Sequence, residues 1–158
     1  MVIKILIMSC CKRTRKYKEG YDHCRWKTAF KKFVKNIKER DYIDFAFKDL
    51  FISLLKKSNN FYGVGLLSVY DVAADISKRH NIKIGKVFII GNGPKRAVKL
   101  LDIKLMKVRY YNVLLSYTTK KDIISAFKKS RYNIDKNMLK NRDCDDFESY
   151  LCNWQKNI

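Results

Sequence analysis

"KVFIIGNGPKRAVKLL", residues 86 to 101, is the stretch on which the fold of this chain turns. An apolar run ends in two glycines around Asn92. Pro94, Lys95 and Arg96 then open a helical pattern. If "KVFII" ends a helix, the segment joins two helices; if it is a strand, it begins a sheet. The run is short, β-branched and aromatic, which suits a strand. Its length does not separate a strand from a tight helical turn. Proline near a helix start is favoured, because its missing N–H would have no partner there.

Upstream the helical period is clearer. "CRWKTAFKKFVKNIKER" sets Trp26, Ala29, Phe30, Phe33, Val34 and Ile37 at helical spacing, with Lys27, Lys31, Lys35 and Lys38 on other faces. "DYIDFAFKDLFISLLKK" reads as a largely buried helix through Ile43, Phe47, Leu50, Phe51, Leu54 and Leu55, with Asp41 as its candidate cap. "SNNFYGVG" breaks the pattern, and "LLSVYDVAADISKRH" resumes it through Leu66, Val69, Tyr70, Ala73 and Ile76. Downstream, "LMKVRYYNVLLSY" fits strand or helix. "TTKKDIISAFKKS" reads as a helix capped by Thr118 or Thr119, and "DCDDFESYLCNW" as a final acidic helix. The expected fold is a mainly α, compact multi-helix domain with room for one or two short strands. The expectation is a single domain over 1–158, with a basic segment 1–23, a helical core 24–131 and an acidic helical end 132–158.

Composition fits a packed domain. The 158 residues are 47% hydrophobic and 13% aromatic, which argues against a disordered chain. The net charge of +20 is the dominant global feature. A surplus of that size repels itself and favours anionic partners, nucleic acid first and anionic membrane surfaces second. Lys-rich coding explains part of it, but the charge is also blocky. Residues 1–40 carry a net +10, residues 41–80 balance, residues 81–131 carry +11 and residues 132–158 carry −1. A uniform bias would spread it more evenly.

No segment reaches the roughly 18 apolar residues of a membrane span. "MVIKILIM" is short, broken by Lys4 and followed by no small-residue cleavage pattern, so it reads as a strand or short anchor. Five cysteines, an odd number, suit a reducing compartment. The expectation is an intracellular protein with no membrane partner and no cofactor.

An internal echo carries the functional reading. "GVGLLSVYDVAADI" starts at residue 63 and "GNGPKRAVKLLDI" at residue 91. Each runs Gly-x-Gly, three residues, a small apolar residue and a helical apolar pattern. Glycine permits a positive φ in a tight turn, and the helix that follows offers unpaired N–H groups to an anion. These residues resemble the helix-hairpin-helix DNA-binding motifs over about 45 residues. Gly63, Val64, Gly65, Ser68 and Val69 carry the first copy. Gly91, Gly93, Pro94, Lys95, Arg96 and Ala97 carry the second, with Asn92 where the family places an apolar residue. The resemblance implies a sequence-independent grip on DNA phosphates. "GVGLLSVYDVAADI", "KVFIIGNG", "PKRAVKLL" and "FESYLC" together are also similar to an uncharacterised bacterial protein family, which supports one integrated domain and supplies no activity.

The nucleic-acid-binding candidates are Gly63, Gly65, Ser68, Gly91, Gly93, Lys95, Arg96, Lys99, Lys31 and Lys35. The expected function is sequence-independent binding of nucleic acid, DNA foremost, through a basic surface and the Gly-x-Gly helix starts. Aromatics among the basic residues, such as Tyr17, Trp26, Tyr110 and Tyr132, are candidates for base stacking. The alternatives are a nucleic-acid-processing enzyme of nuclease or glycosylase-like type, or a structural DNA-packaging protein. Rival chemistry is weaker. A dinucleotide turn lacks its third glycine, where Arg96 stands, and its downstream acid. Cys10, Cys11, His23 and Cys24 have poor chelate spacing for zinc. Asp143, Asp145, Asp146 and Glu148 suit a helix start as well as a Mg²⁺ site. His23 and His80 have no evident partners in the sequence, so no catalytic triad emerges.

Overall fold

The computed structural model describes residues 24–140 and 143–158. They fall into two compact units, one running to Lys83 and the other from Ile84.

The first unit is helical. Helix α1, Cys24–Lys35, is followed by a 3-10 turn at Glu39–Tyr42, helix α2, Phe47–Ser58, and helix α3, Leu66–Arg79. Phe33 is fully buried and Ile37, just beyond α1, nearly so, as the apolar spacing requires. Lys31, Lys32 and Lys35 stay exposed on the same helix. Helices α2 and α3 pack side by side as a hairpin. The Phe47 and Phe51 rings stack at 5.8 Å, and the Tyr70 ring meets both edge-on, at 6.2 and 6.1 Å. Fully burying each such side chain contributes about 1.5–3 kcal/mol, which makes this cluster the anchor of the hairpin. Asp41 does not cap α2. It lies within the 3-10 turn, and α2 starts from Ala46 with no side-chain cap. Ile43, expected inside, is 51% exposed, because it lies between the turn and the helix rather than on the helix's inner face.

The second unit carries the sheet. Strand β1, Val87–Phe88, leads to helix α4, Asn92–Leu100. Strands β2, Met106–Tyr110, and β3, Val113–Thr118, form a hairpin, followed by helices α5, Lys120–Lys129, α6, Lys136–Lys140, and α7, Cys144–Trp154. The order is β1-β3-β2, antiparallel throughout. Val87 faces Thr118 and Phe88 faces Tyr117, while Val108 faces Leu115 and Tyr110 faces Val113. The expected mainly α fold is thereby corrected to a mixed α and β one. "KVFII" is a strand because β3 supplies its partner: Ile89 N–H also donates to the Ser116 carbonyl at 2.9 Å. "LMKVRYYNVLLSY" resolves into a hairpin. Tyr111, the first turn residue, takes φ 55°, the sign that two-residue hairpin turns need to match strand twist.

Several helix ends follow the expected chemistry. Thr119 caps α5, its hydroxyl oxygen accepting from the Asp122 N–H at 3.1 Å. Asp143 caps α7, accepting from the Asp145 N–H at 3.2 Å. Helix α4 closes in a left-handed turn at Asp102, φ 50°, where the Ile103 N–H reaches the Val98 carbonyl at 2.9 Å. At the end of β3, the Thr118 side chain is fully buried and its hydroxyl finds no hydrogen-bond partner among the described residues. Thr118→Val keeps the shape and removes the unsatisfied group. It should raise unfolding stability by about 1 kcal/mol, read from urea midpoints.

Candidate nucleic-acid interface

The two Gly-x-Gly turns are built differently. The first joins two helices, as the sequence implies. Gly63 has φ 94°, the left-handed region that favours glycine. Gly65 caps α3 with an extended φ of −86°, and open space surrounds the position its Cβ would occupy. Ser68 is half-buried in the first turn of α3. Lys31 and Lys35 are exposed on α1, in the same unit.

The second turn joins a strand to a helix, so the second hairpin is absent. Gly91 caps α4 with φ −73°, which any residue adopts. Asn92 is exposed, so it packs nothing between helices. Gly93 is buried, and a Cβ there would lie 2.6 Å from the Cys152 Sγ and 3.2 Å from the Cys152 Cα. This corrects the reading of Gly93 as a phosphate contact. The missing side chain lets α7 approach α4, and burial closes the position to an anion.

The remaining second-unit candidates lie on one side of α4. Pro94, Ala97 and Val98 turn inward and are buried. Lys95, Arg96, Lys99 and Leu100 turn outward. Arg96, Lys99 and Leu100 line one wall of an open depression of about 830 Å³. The Ser130–Tyr132 turn after α5 and Gln155 from the end of α7 complete its lining. No carboxylate lines it, and neither Arg96 nor Lys99 forms an ion pair among the described residues.

The Ser130–Tyr132 turn is held by side-chain hydrogen bonds and ring contacts. The Ser130 hydroxyl donates to the Phe127 carbonyl at 2.9 Å and accepts from the Tyr132 N–H at 3.1 Å. The Tyr132 ring meets Trp154 edge-on at 5.2 Å, and Trp154 meets buried Phe127 edge-on at 4.9 Å. The Arg131 guanidinium lies 5.1 Å from the Tyr132 ring centre. It donates to the Tyr132 hydroxyl at 3.1 Å, a bond that pushes its pKa further up and keeps it charged. The Gln155 amide is fixed by donation to the Cys152 carbonyl at 3.0 Å.

A second polar cluster lies in the first unit and gives His80 the partner its sequence context concealed. Glu39 takes the Arg79 guanidinium on one oxygen and His80 Nε2 on the other, each at 2.9 Å. Asp75, one turn before Arg79, pairs with the same guanidinium nitrogen at 2.9 Å. The Arg79 cation sits at the end of α3, where the helix dipole favours it. Burial raises the Asp75 pKa; Arg79 opposes this and the Glu39 charge adds to it. A carboxyl whose folded pKa is raised gives full stability below its unfolded pKa and loses it as pH rises through the folded value. Asp75→Asn should therefore unfold at higher urea than the parent near neutral pH. The gain should vanish at about pH 3, where both states are protonated. An equal gain at both pH values would contradict this origin.

Among the described residues no three His, Cys, Asp or Glu side chains gather as a metal site. Asp143, Asp145 and Asp146 stand at the α7 start, where the helix dipole favours them. The zinc candidates Cys10, Cys11 and His23, with the Cys24 side chain, lie outside the described residues, as do Tyr17 and the Trp26 side chain. No described helix is long and apolar enough to cross a membrane. No protein-family model matches the chain, and no curated protein or solved structure matches it.

Proposed function

We propose that this protein binds nucleic acid without reading its sequence, DNA foremost, through exposed cations that no carboxylate among the described residues neutralises. The observation that carries the reading is the depression lined by Arg96, Lys99 and Arg131 with no acid in its walls. Lys and Arg on a concave surface focus field lines on a phosphate chain. Contacts of this kind position a backbone and carry no base information. The net charge of +20 supports the same partner. Lys95 extends the outward face of α4, and Gly91 stays a backbone candidate at its start. In the first unit, Lys31, Lys35, Gly63, Gly65 and Ser68 remain candidate contacts of the α2–α3 hairpin, on the helix-hairpin-helix resemblance. Such a partner places the protein in a nucleic-acid-containing compartment of the cell.

The test is fluorescence anisotropy of a labelled oligonucleotide over a salt series. Counterion release makes log K fall linearly with log salt, by about 0.9 for each duplex phosphate neutralised. A slope of at least about −3 is expected, matching three phosphates. Affinity independent of salt, or no binding at low salt, would refute the reading.

A further inference from the structure

The depression is more than a patch of charge. The segments that line it differ in chemistry. Helix α4 presents Arg96 and Lys99, which suit phosphate oxygens, and Leu100, which is 48% exposed. The Ser130–Tyr132 turn presents the planar guanidinium of Arg131 over the Tyr132 ring, 5.1 Å from its centre and bonded to its hydroxyl. Duplex phosphates have no use for an exposed leucine or an aromatic ring. An unstacked base does, because every base has a π-face that pairs with aromatic rings and with Arg planes.

From this juxtaposition we infer that the depression is a single-strand site, taking one unstacked nucleotide of a single-stranded nucleic acid. Its phosphate sits on Arg96 and Lys99, and its base lies against the Arg131–Tyr132 stack and Leu100. This deepens the nucleic-acid reading above and rests on it.

Three features of the site fit that ligand. Its volume of about 830 Å³ falls within the roughly 300–1,000 Å³ of small-molecule sites. A base in a duplex is stacked on both faces and cannot enter without leaving its partner. The platform is also preorganised: Ser130 fixes the turn backbone and Trp154 holds the Tyr132 ring, so little ordering entropy is lost on binding. Gln155 is tethered through its NH₂ group. Its Oε1 accepts no hydrogen bond among the described residues, which leaves an acceptor for an exocyclic base amine.

The test compares a labelled single strand with a duplex of equal length, using full-length protein. Arg131 is exposed, so Arg131→Lys keeps the charge, removes the planar group and leaves the fold alone. Single-strand binding should be tighter than duplex binding. Arg131→Lys should weaken the single strand by about tenfold, the loss of one stacked base, and the duplex, whose phosphates meet only the retained charge, by far less. Leu100→Ser, a surface change, should act in the same direction. Equal affinity for both forms, or an equal effect of Arg131→Lys on both, would overturn the inference while the general reading stands. Failure to bind either form would sink both. A further arm adds deoxyadenosine monophosphate as competitor. If millimolar mononucleotide displaces the strand, and strand length beyond one nucleotide adds nothing, the depression serves free nucleotides and the single-strand assignment is wrong.

Discussion

Gly93→Ala should destabilise the protein by about 2 kcal/mol while leaving the nucleic-acid affinity of the folded molecule unchanged. The new methyl would stand 2.6 Å from the Cys152 Sγ, 3.2 Å from its Cα and 3.3 Å from its Cβ. The sulfur is the end of a short side chain, but the Cα belongs to the α7 backbone, so helix α7 itself must shift. Overpacking of this kind costs about 1–3 kcal/mol. Alanine's better helix propensity returns at most about 1 kcal/mol, and less in a first turn than in a helix interior. Gly93→Val, with two further methyl groups, should be worse. The pairing with Cys152 can be isolated. Cys152→Ala removes the 2.6 Å contact and leaves those to Cα and Cβ, so it should rescue Gly93→Ala in part. A double-mutant cycle should then show a coupling of about 1 kcal/mol. Urea unfolding gives the stabilities and anisotropy gives the affinities. A phosphate-gripping Gly93 predicts the reverse: a stable variant that has lost binding.

The same glycine shows why a Gly-x-Gly motif was only half legible. A turn that cradles phosphate and a turn that admits a neighbouring helix call for the same residue, and sequence does not distinguish them. The discriminating residue, Cys152, lies far along the chain on α7, and only the packing brings it to Gly93. At the first turn the local signal suffices. Gly63 takes the positive φ that its type allows, and the apolar positions Val69, Tyr70, Ala73 and Ile76 are buried as their spacing requires. The helices of the first unit were legible for that reason, since a 3.6-residue period is a local property.

The sheet was harder to read. In "MKVRY", Met106, Val108 and Tyr110 alternate with Lys107 and Arg109, which is the strand period. The turn that should punctuate the hairpin carries no glycine. Tyr111 adopts the positive φ itself, so the usual Asn-Gly or Asp-Gly signal is missing. Strand β1 is two residues long and exists through its pairing with β3, a non-local contact. The site divides in the same way. Arg96 and Lys99 were visible as the polar face of a helix that starts at a glycine turn. Tyr132 was visible as an aromatic among basic residues. Leu100, Ser130 and Gln155 carried no signal, because their place in the depression comes from three segments converging. The Glu39–His80 pair was hidden likewise, its members lying on the 3-10 turn and just past α3.

Reversing the three cations of the depression should remove most of the binding. Arg96→Glu, Lys99→Glu and Arg131→Glu together should weaken DNA affinity by roughly 100-fold or more near physiological salt. The log–log salt slope should become shallower by about 2.7, which is three contacts at about 0.9 each. These side chains are solvent-exposed and none is ion-paired among the described residues, so the fold should persist with stability changed by less than about 0.5 kcal/mol. The control decides what the result means. Lys104→Glu, Lys107→Glu and Lys121→Glu change the net charge by the same amount, at exposed positions that do not line the depression. If the chain binds only because it is so basic overall, both triple variants should lose affinity equally, since a diffuse field depends on total charge. If phosphates sit between α4 and the Arg131 turn, the control should lose several-fold at most and keep a salt slope near that of the parent. Equal losses would assign the binding to bulk charge and remove the depression from it. A depression variant that binds as the parent does would exclude the site outright.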